Sequence, residues 1–381
     1  AKQIAWEMHN RKLPQFFSRK IGEMNADLEN CKIHPGYFLS KIDLEIANRE
    51  YYYLEEKQRF ITGHIIKGGE YSILYFLWTI LGVINDLLVH SYLYNAQFKI
   101  NVPLEFLRNL QIEKVIEYCR VSRFSYTWLM EMYHNQLMMY LEPDDPEHFF
   151  RLKKLFEHNY DRFHDTEKLN WIFCLMNYCV GSKIDLRRTL FEIHKFELKE
   201  GIAIFGKYMN VTHYLQILRN SLSINETEWV QQFIEGYVPK LHPSYQKPIR
   251  ALSTAYLYSK LKEHNKVLEI LNKVFFKEIK DKILVKLLYL QTYFDLNETE
   301  AVLSQLDSTS HFMKNNILHF REDLAANHRR FLRVLKKLVT LKEKEQSHGI
   351  EEIEQYVIKH KTIVLREWLL EKISEMRKGA A

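Results

Sequence analysis

The tetrapeptide Asn-Glu-Thr-Glu occurs twice, at residues 225–228 and 297–300, and each copy leads into an apolar run. Between the two copies lies a related segment, Lys-Glu-His-Asn-Lys-Val-Leu at residues 262–268. When Val230, Val267 and Val302 are taken as equivalent, successive copies are 37 and 35 residues apart. This period is typical of two-helix solenoid repeats, in which each unit buries its apolar face against its neighbours.

The composition favours long helices joined by short turns. The 381 residues include only 12 Gly and 8 Pro, roughly half or less of the usual shares of about 7% and 5%. Apolar residues make up 46% of the chain, with 23 Tyr and 23 Phe, which is ample material for helix–helix seams. A chain of this length is long for one compact core but ordinary for an array of stacked helical pairs.

The repeated positions resemble those of the tetratricopeptide repeat. That repeat alternates small, aromatic and large apolar residues at fixed slots, which are filled here by Ala255, Tyr258, Val267 and Leu271, and in the next unit by Leu290, Tyr293, Val302 and Leu306. Lys262 and Asn297 stand where the repeat normally has a turn glycine, so the repeats are degenerate. We predict that Asn225 and Asn297 act as N-cap residues of the second helices, because a short polar side chain can satisfy free backbone amides.

Two longer segments carry a more specific resemblance. EWVQQFIEGYVPKLHPSYQKPIRALSTAYLYSKLKEHNKVLEILNKVFFKE at 228–278 and ILVKLLYLQTYFDLNETEAVLSQLDSTSHFMKNN at 283–316 look like a family of helical-repeat proteins common in Bacteroidetes. Members of that family are described as tetratricopeptide-like or hypothetical. The resemblance implies a bacterial host and an α-solenoid, and it brings no catalytic motif. Such proteins usually carry a further N-terminal helical segment, so we expect Ala1 to be an internal residue of a longer natural chain.

The predicted fold is therefore all-α: a right-handed α-solenoid of degenerate tetratricopeptide-like two-helix repeats. We expect an N-terminal helical array at 1–205, tetratricopeptide-like repeats at 206–320 and C-terminal capping helices at 321–381, in one continuous solenoid. Gly68-Gly69 is predicted to break the chain before a helix at about 70–98, which is apolar nearly all round and should be buried on several sides. A last long helix is expected at 349–377, with a break near His360.

The register also predicts a partner-binding surface. In tetratricopeptide-like arrays the first helices line the concave side, where Tyr256, Lys260, Gln291 and Asp295 would point. This mixed aromatic and polar set suits a peptide. Packing of Tyr256 between repeats is the alternative for that side chain.

A second candidate surface is the basic helix 329–344. Its cationic residues include Arg329, Arg330, Arg333 and Lys337, together with Lys336, Lys342 and Lys344. Such a stripe could meet phosphates or an acidic partner, although a solvated helix face is the commoner meaning of such a run. The net charge of +6 is a mild excess and adds little support for nucleic-acid binding.

The sequence gives only weak signals of a metal site or of a catalytic site. His158, Asp161, His164 and Asp165 have metal-like residue types, but a polar helix end with Asp165 as the next N-cap explains them better. The sequence contains no P-loop, G-x-S-x-G, H-E-x-x-H or G-x-G-x-x-G motif. Cys174 and Cys179 are expected to be buried and inert.

The sequence therefore predicts a non-catalytic scaffold or adaptor that binds a protein or peptide and needs no cofactor. A nucleic-acid-associated or regulatory module that uses helix 329–344 is the alternative. The longest apolar run, 73–84, is too short to cross a membrane. The four cysteines contain no C-x-x-C pair, which indicates a reduced, cytoplasmic setting.

Overall fold

The computed structural model describes residues 2–94, 101–204, 206–344, 349–360 and 362–379. Over these residues the chain forms nineteen α-helices joined mostly by short turns, which confirms the all-α prediction. The helices are α1 Lys2–Asn10, α2 Pro14–Glu29, α3 Pro35–Leu54, α4 Ile61–Tyr94, α5 Val102–Arg108, α6 Ile112–Val121, α7 Thr127–Leu141, α8 Glu147–Asn159, α9 Asp165–Gly181, α10 Arg187–Lys199, α11 Val211–Ser223, α12 Thr227–Tyr237, α13 Pro243–Lys260, α14 His264–Leu271, α15 Ile279–Asp295, α16 Thr299–Asn315, α17 Glu322–Glu343, α18 Ile350–Lys359 and α19 Arg366–Gly379.

The helices divide into two compact units, Ala1–Ala203 (unit 1) and Ile204–Ala381 (unit 2). The residues predicted as separate groups at 206–320 and 321–381 both fall in unit 2. One core cluster of unit 2 runs from Ile283 in α15 to Ile373 in α19. Among the described residues, no helix is both long and apolar enough to cross a membrane.

Unit 1 is built around α3 and α4, which pack along most of their shared length. α7 and α8 form a second close pair, and α9 packs on both α8 and α10. The core contains Leu74, Leu77 and Leu81 from α4, together with Leu129 and Phe149 from α7 and α8. These side chains are at most 1% exposed, so one stripe of α4 belongs to the interior.

α4 differs from the predicted helix at its start. It begins at Ile61 and runs through Gly68-Gly69, so the predicted break at these glycines is wrong. Gly inside a helix costs about 1 kcal/mol. The packing of α4 on α3 can offset this cost. The prediction that α4 is buried on several sides is confirmed by its packing on α3, α5 and α7, although one face carries exposed Ile and Phe side chains. The predicted extension to Phe98 lies partly outside the described residues.

Unit 2 consists of helices that pack in chain order. The pairs α11–α12, α13–α14, α15–α16 and α17–α18 are in contact, and each pair also contacts the next. α13 packs on both α11 and α15, and α17 packs on α19. The expected last helix is two helices, α18 and α19, separated after Lys359 as the predicted break near His360 required.

Three turns of unit 2 share one backbone geometry. Asn225, Lys262 and Asn297 have φ angles of 64°, 61° and 61°, in the left-handed region. After each of them, the next residue donates its N–H to a carbonyl five residues earlier, as Glu226 does to Ser221 at 3.0 Å. This is the Schellman motif that ends a helix. Asn225 and Asn297 are therefore C-terminal turn residues of the first helices, and their prediction as N-caps is wrong.

The left-handed residues recur with the period of the sequence repeat, 37 and 35 residues. Each turn is followed by the second helix of its pair, in which Val230, Val267 and Val302 are at most 1% exposed. The sequence register thus marks a repeated turn and a repeated core position, although Lys262 and Asn297 replace the glycine that this conformation favours.

A short motif occurs in both units and was missed in the sequence. Lys-Ile-His-Pro at 32–35 and Lys-Leu-His-Pro at 240–243 each lead into a helix. Ile33 forms a β-bridge with Phe163 in unit 1, and Leu241 forms one with Met209 in unit 2. His34 and His242 cap the helices that follow, each accepting a backbone N–H two residues ahead. The near-identical tetrapeptides were the signal that could have revealed this motif.

Candidate partner-binding groove

The four residues predicted for a concave surface do not share one open surface. Tyr256 and Lys260 lie on α13, whereas Gln291 and Asp295 lie on α15. Gln291 is 8% exposed, and the Asp295 carboxylate forms an ion pair with Lys372 of α19 at 2.9 Å, with both side chains almost fully buried. The prediction that Gln291 and Asp295 face a partner is therefore wrong.

Asp295 instead anchors the final helices of unit 2. Burial alone would lower the pKa of Lys372, but hydrogen bonds to Glu375 and Asp295 outweigh it and raise that pKa. The Lys342 ammonium of α17 lies 4.4 Å from the centre of the Phe294 ring. Burial lowers the pKa of Lys342, and the nearby Asp295 carboxylate partly compensates. A charged pair this well enclosed fixes helix positions more than it attracts a ligand.

Tyr256 is a packing residue between α11 and α13. The guanidinium of Arg219 lies 5.6 Å from the Tyr256 ring centre and donates to its hydroxyl at 3.3 Å. Tyr256 is half-buried by this contact, while Lys260 is exposed at the end of the helix. Tyr256 therefore packs between repeats, which was the alternative that the sequence left open for this side chain.

An open groove lies in unit 2 between α16 and α17. Its volume is about 870 Å³. On α16, positions 303, 306, 310 and 313 recur at steps of three and four, which places them on one face of the helix, and Ile317 follows its end. On α17, positions 329, 332, 333 and 336 do the same. The apolar floor of the groove is formed by Leu303, Leu306, Met313, Ile317 and Leu332.

The rim of this groove is cationic. Lys314, Arg329, Arg333 and Lys336 line it, and all four are exposed. None of the four forms a salt bridge with another residue in the part of the chain that the structure describes. The single lining carboxylate, Asp307, has His311 as a partner at 3.5 Å. The Ser310 hydroxyl donates to the Leu306 carbonyl of its own helix at 2.8 Å, so it leaves the floor apolar.

The predicted basic stripe divides into two groups. Arg329 and Arg333 line the groove, joined by Lys336. Arg330 donates to the Asn327 side chain at 2.7 Å and is not part of the lining, and neither is the exposed Lys337. The sequence found the cations but could not show which of them border an apolar floor, because the floor is contributed by both helices.

The predicted metal-like residues are not brought together. His158, Asp161, His164 and Asp165 do not form a group of three ligand atoms close enough for one ion within the described residues. The N-cap of α9 is His164, whose ring accepts the Thr166 N–H, so the predicted capping by Asp165 is wrong. The Asp165 carboxylate accepts from Lys168 at 3.1 Å, and this bond is the main cause of its lowered pKa.

Another group of possible metal ligands was not predicted from the sequence. Ligand atoms of Glu142, Asp145 and His148, between α7 and α8, lie within 4.8 Å of one another. Asp145 already accepts the Glu147 N–H at 2.9 Å, and His148 Nδ1 is hydrogen-bonded to Asn135 Oδ1 at 3.1 Å. Glu142 is exposed, and the hydrogen bond of Asp145 satisfies a free amide at the start of α8. These contacts are therefore explained by the start of a helix at least as well as by a metal centre.

The cysteines offer no reactive thiol in the interior. Cys174 and Cys179 are buried, as predicted, and burial raises the pKa of these thiols to about 11 and about 12. A thiol with so high a pKa is rarely ionised and is a poor nucleophile. Cys31 is exposed and unpaired.

Comparisons with protein-family models, with curated proteins and with solved structures each found no match. Membership of a Bacteroidetes helical-repeat family therefore stays a prediction.

Proposed function

We propose that this protein is a non-catalytic scaffold and that its groove between α16 and α17 binds an acidic, amphipathic segment of a partner protein. The observation that carries this proposal is the combination of an apolar floor with four unpaired cations at its rim. An apolar helix face can bury its Leu or Ile side chains on such a floor, while flanking carboxylates meet the rim.

The repeat register supports the same role. Three turns of one geometry recur with the period of the sequence repeat, and consecutive helix pairs of unit 2 pack on one another. We interpret unit 2 as a short, degenerate tetratricopeptide-like solenoid, an architecture whose grooves commonly hold peptides. The exposed Lys260 and Lys337 and the packed Tyr256 lie outside this site. Four unpaired cysteines favour a reducing, cytoplasmic setting.

Nucleic-acid binding is the weaker candidate for the same cations. Single-stranded nucleic acids are usually held by aromatic side chains that stack on bases, and the lining of this groove contains no aromatic residue. An aliphatic floor is better matched to side chains of a peptide than to a phosphate backbone.

The test uses fluorescence anisotropy with the full chain. The probe is a labelled helical peptide that carries Leu at i, i+3, i+4 and i+7 and Glu on both flanks, and its matched control replaces every Glu by Lys. We expect the acidic peptide to bind and the basic one not to bind. The double variant Arg333→Glu with Lys336→Glu should weaken binding by about tenfold or more, because two attractive rim charges become repulsive.

The matched control variant is Arg330→Glu with Lys337→Glu, which makes the same change of net charge on the same helix outside the groove. It should alter the affinity by less than about threefold through long-range electrostatics alone. Equal losses in both double variants would reduce the effect to net charge and reject the groove. Binding of a single-stranded oligonucleotide in place of the peptide, lost in the Arg333 and Lys336 variant, would support the nucleic-acid alternative.

A further inference from the structure

The middle of α17 carries several cations and no carboxylate. Between Asp323 and Glu343 the helix contains no Asp or Glu. Arg333 lies at the centre of this segment, and the four positions one turn before and after it are all basic: Arg329, Arg330, Lys336 and Lys337. Like charges at this spacing repel one another and destabilise a helix. An anion bound beside Arg333 would relieve this repulsion.

The facing helix, α16, does not neutralise these cations. It adds a further one, Lys314, to the groove lining. Its lining carboxylate, Asp307, lies 3.5 Å from Nε2 of His311 on its own helix. Arg329 and Arg333 are exposed, and neither forms a salt bridge within the ranges that the structure describes. The counter-charge for this side of the groove therefore has to come from the bound partner.

The residue types at the rim favour a phosphate over a single carboxylate. Arg329 and Arg333 are one turn apart, so their Cβ atoms are about 5–6 Å apart. Each guanidinium presents planar N–H donors that can bind a phosphate or carboxylate through two parallel hydrogen bonds. A phosphorylated side chain offers three acceptor oxygens and a charge of about −1.5 to −2 at pH 7. One phosphate can thus accept from both arginines, whereas one carboxylate has two oxygens and a single charge.

The apolar floor indicates which kind of molecule carries the phosphate. Leu303 is half-buried and Ile317 is 40% exposed, so part of the floor is open to a bound side chain. Inorganic phosphate would leave this surface uncovered, and a nucleic-acid strand would find no aromatic residue in the lining for its bases. A polypeptide can place apolar side chains on the floor and a phosphorylated residue beside the arginines.

We propose that the groove selects a phosphorylated partner, in which a phosphoserine or phosphothreonine next to the apolar face of the bound segment is held by Arg329 and Arg333. Lys314 and Lys336 then meet the flanking carboxylates. This inference rests on the function proposed for the groove and adds its regulation: phosphorylation of the partner strengthens docking.

The test compares three labelled peptides by fluorescence anisotropy with the full chain. They share the Leu positions and Glu flanks of the acidic peptide and differ at one residue beside the Leu face, which is Ser, Glu or phosphoserine. We expect the phosphoserine peptide to bind about tenfold or more tightly than the Glu peptide, because two guanidinium groups share one phosphate. Equal affinities of these two peptides would overturn the selection of phosphate and leave the acidic-segment function in place. If none of the three bound, both proposals would be rejected.

The double variant Arg329→Lys with Arg333→Lys keeps the net charge but loses the paired donors. It should remove most of the preference for phosphoserine while changing the affinity of the Glu peptide by less than about threefold, since the rim charges remain. The matched control is Arg330→Lys, the same change on the same helix outside the groove, and it should keep the preference. An equal loss of preference in the control would reject the assignment to Arg329 and Arg333.

Competition identifies the source of the phosphate. We expect the unlabelled phosphoserine peptide to displace the labelled one at far lower concentration than inorganic phosphate or a single-stranded oligonucleotide. Displacement by inorganic phosphate at a similar concentration would overturn the need for a bound segment. Displacement by the oligonucleotide at a lower concentration would assign the site to nucleic acid instead.

Discussion

The groove of unit 2 and the α4 face of unit 1 are both open apolar surfaces, but their charges differ. The groove has four cations at its rim and one carboxylate, which already has His311 as a partner. The α4 face is formed by exposed apolar residues such as Ile73, Phe76 and Val83, and Lys67, nine residues before Phe76, lies on the opposite side of the helix. An apolar surface alone does not identify its occupant, whereas a rim of one charge requires a partner of the other charge.

The largest expected difference concerns what each surface contributes to folding. Phe331 of α17 directly precedes the groove residue Leu332 and is fully buried, so Phe331→Ala should lower the free energy of unfolding by about 3–5 kcal/mol. Phe76→Ala removes a side chain that is 40% exposed, and it should lower the free energy of unfolding by about 1 kcal/mol or less. Hydrogen exchange of the amides of α17 and of α4 measures the two effects separately.

The two substitutions should also differ in their effect on peptide binding. Phe331→Ala should weaken binding of the acidic peptide, whereas Phe76→Ala should leave it unchanged. If Phe76→Ala destabilised α4 as strongly as Phe331→Ala destabilises α17, the exposed face would be part of the core in solution and not a free surface.

Salt should weaken peptide binding by the groove. Raising NaCl from low ionic strength to about 0.5 M should weaken binding of the acidic peptide by about tenfold, since the exposed charges of the rim and of the peptide are screened. Fluorescence anisotropy over a series of NaCl concentrations measures the effect. An affinity that does not change with salt would contradict a role for the cationic rim.

The repeat and its core positions could be predicted from the sequence because they are local and periodic. Val230, Val267 and Val302 are buried as their spacing required. The conformation of Asn225 and Asn297 could not be predicted in the same way. Asn is favoured both as an N-cap and in the left-handed C-terminal turn. When the end of one helix and the start of the next are only a residue or two apart, the sequence does not show which of the two positions Asn occupies.

The groove and the α4 face could be predicted only in part, because both depend on contacts between distant residues. The sequence identified Arg329 and Arg333 but not the floor that α16 contributes beneath them. It placed Asp295 at a surface because Lys372, 77 residues later, could not be recognised as its partner. The apolar composition of α4 suggested burial on several sides, and only the packing shows that α3, α5 and α7 leave one face uncovered.

The smallest expected effect is a pH dependence that belongs to unit 2 alone. His328 lies one turn before Leu332 of the groove floor, and its ring is 6.3 Å from that of Phe320. Burial lowers the pKa of His328 below its ordinary 6.5, although its hydrogen bond to the Leu324 carbonyl partly opposes this shift. The folded protein therefore favours the neutral ring, and the unfolded chain binds the proton more readily.

Because the folded-state pKa is lowered, the stabilisation by neutral His328 is complete above pH 6.5. It is lost as the pH falls below that value towards the folded-state pKa, at no more than about 1.4 kcal/mol per pH unit for one proton. Protection of α17 amides should thus decrease between pH 7.5 and 5.5, and His328→Gln should make that decrease shallower. The matched comparison is the protection of the α4 amides in unit 1, on which His328→Gln should have no effect. If His328→Gln and the wild type lost protection in parallel, the pH dependence of the groove wall would have to come from another group.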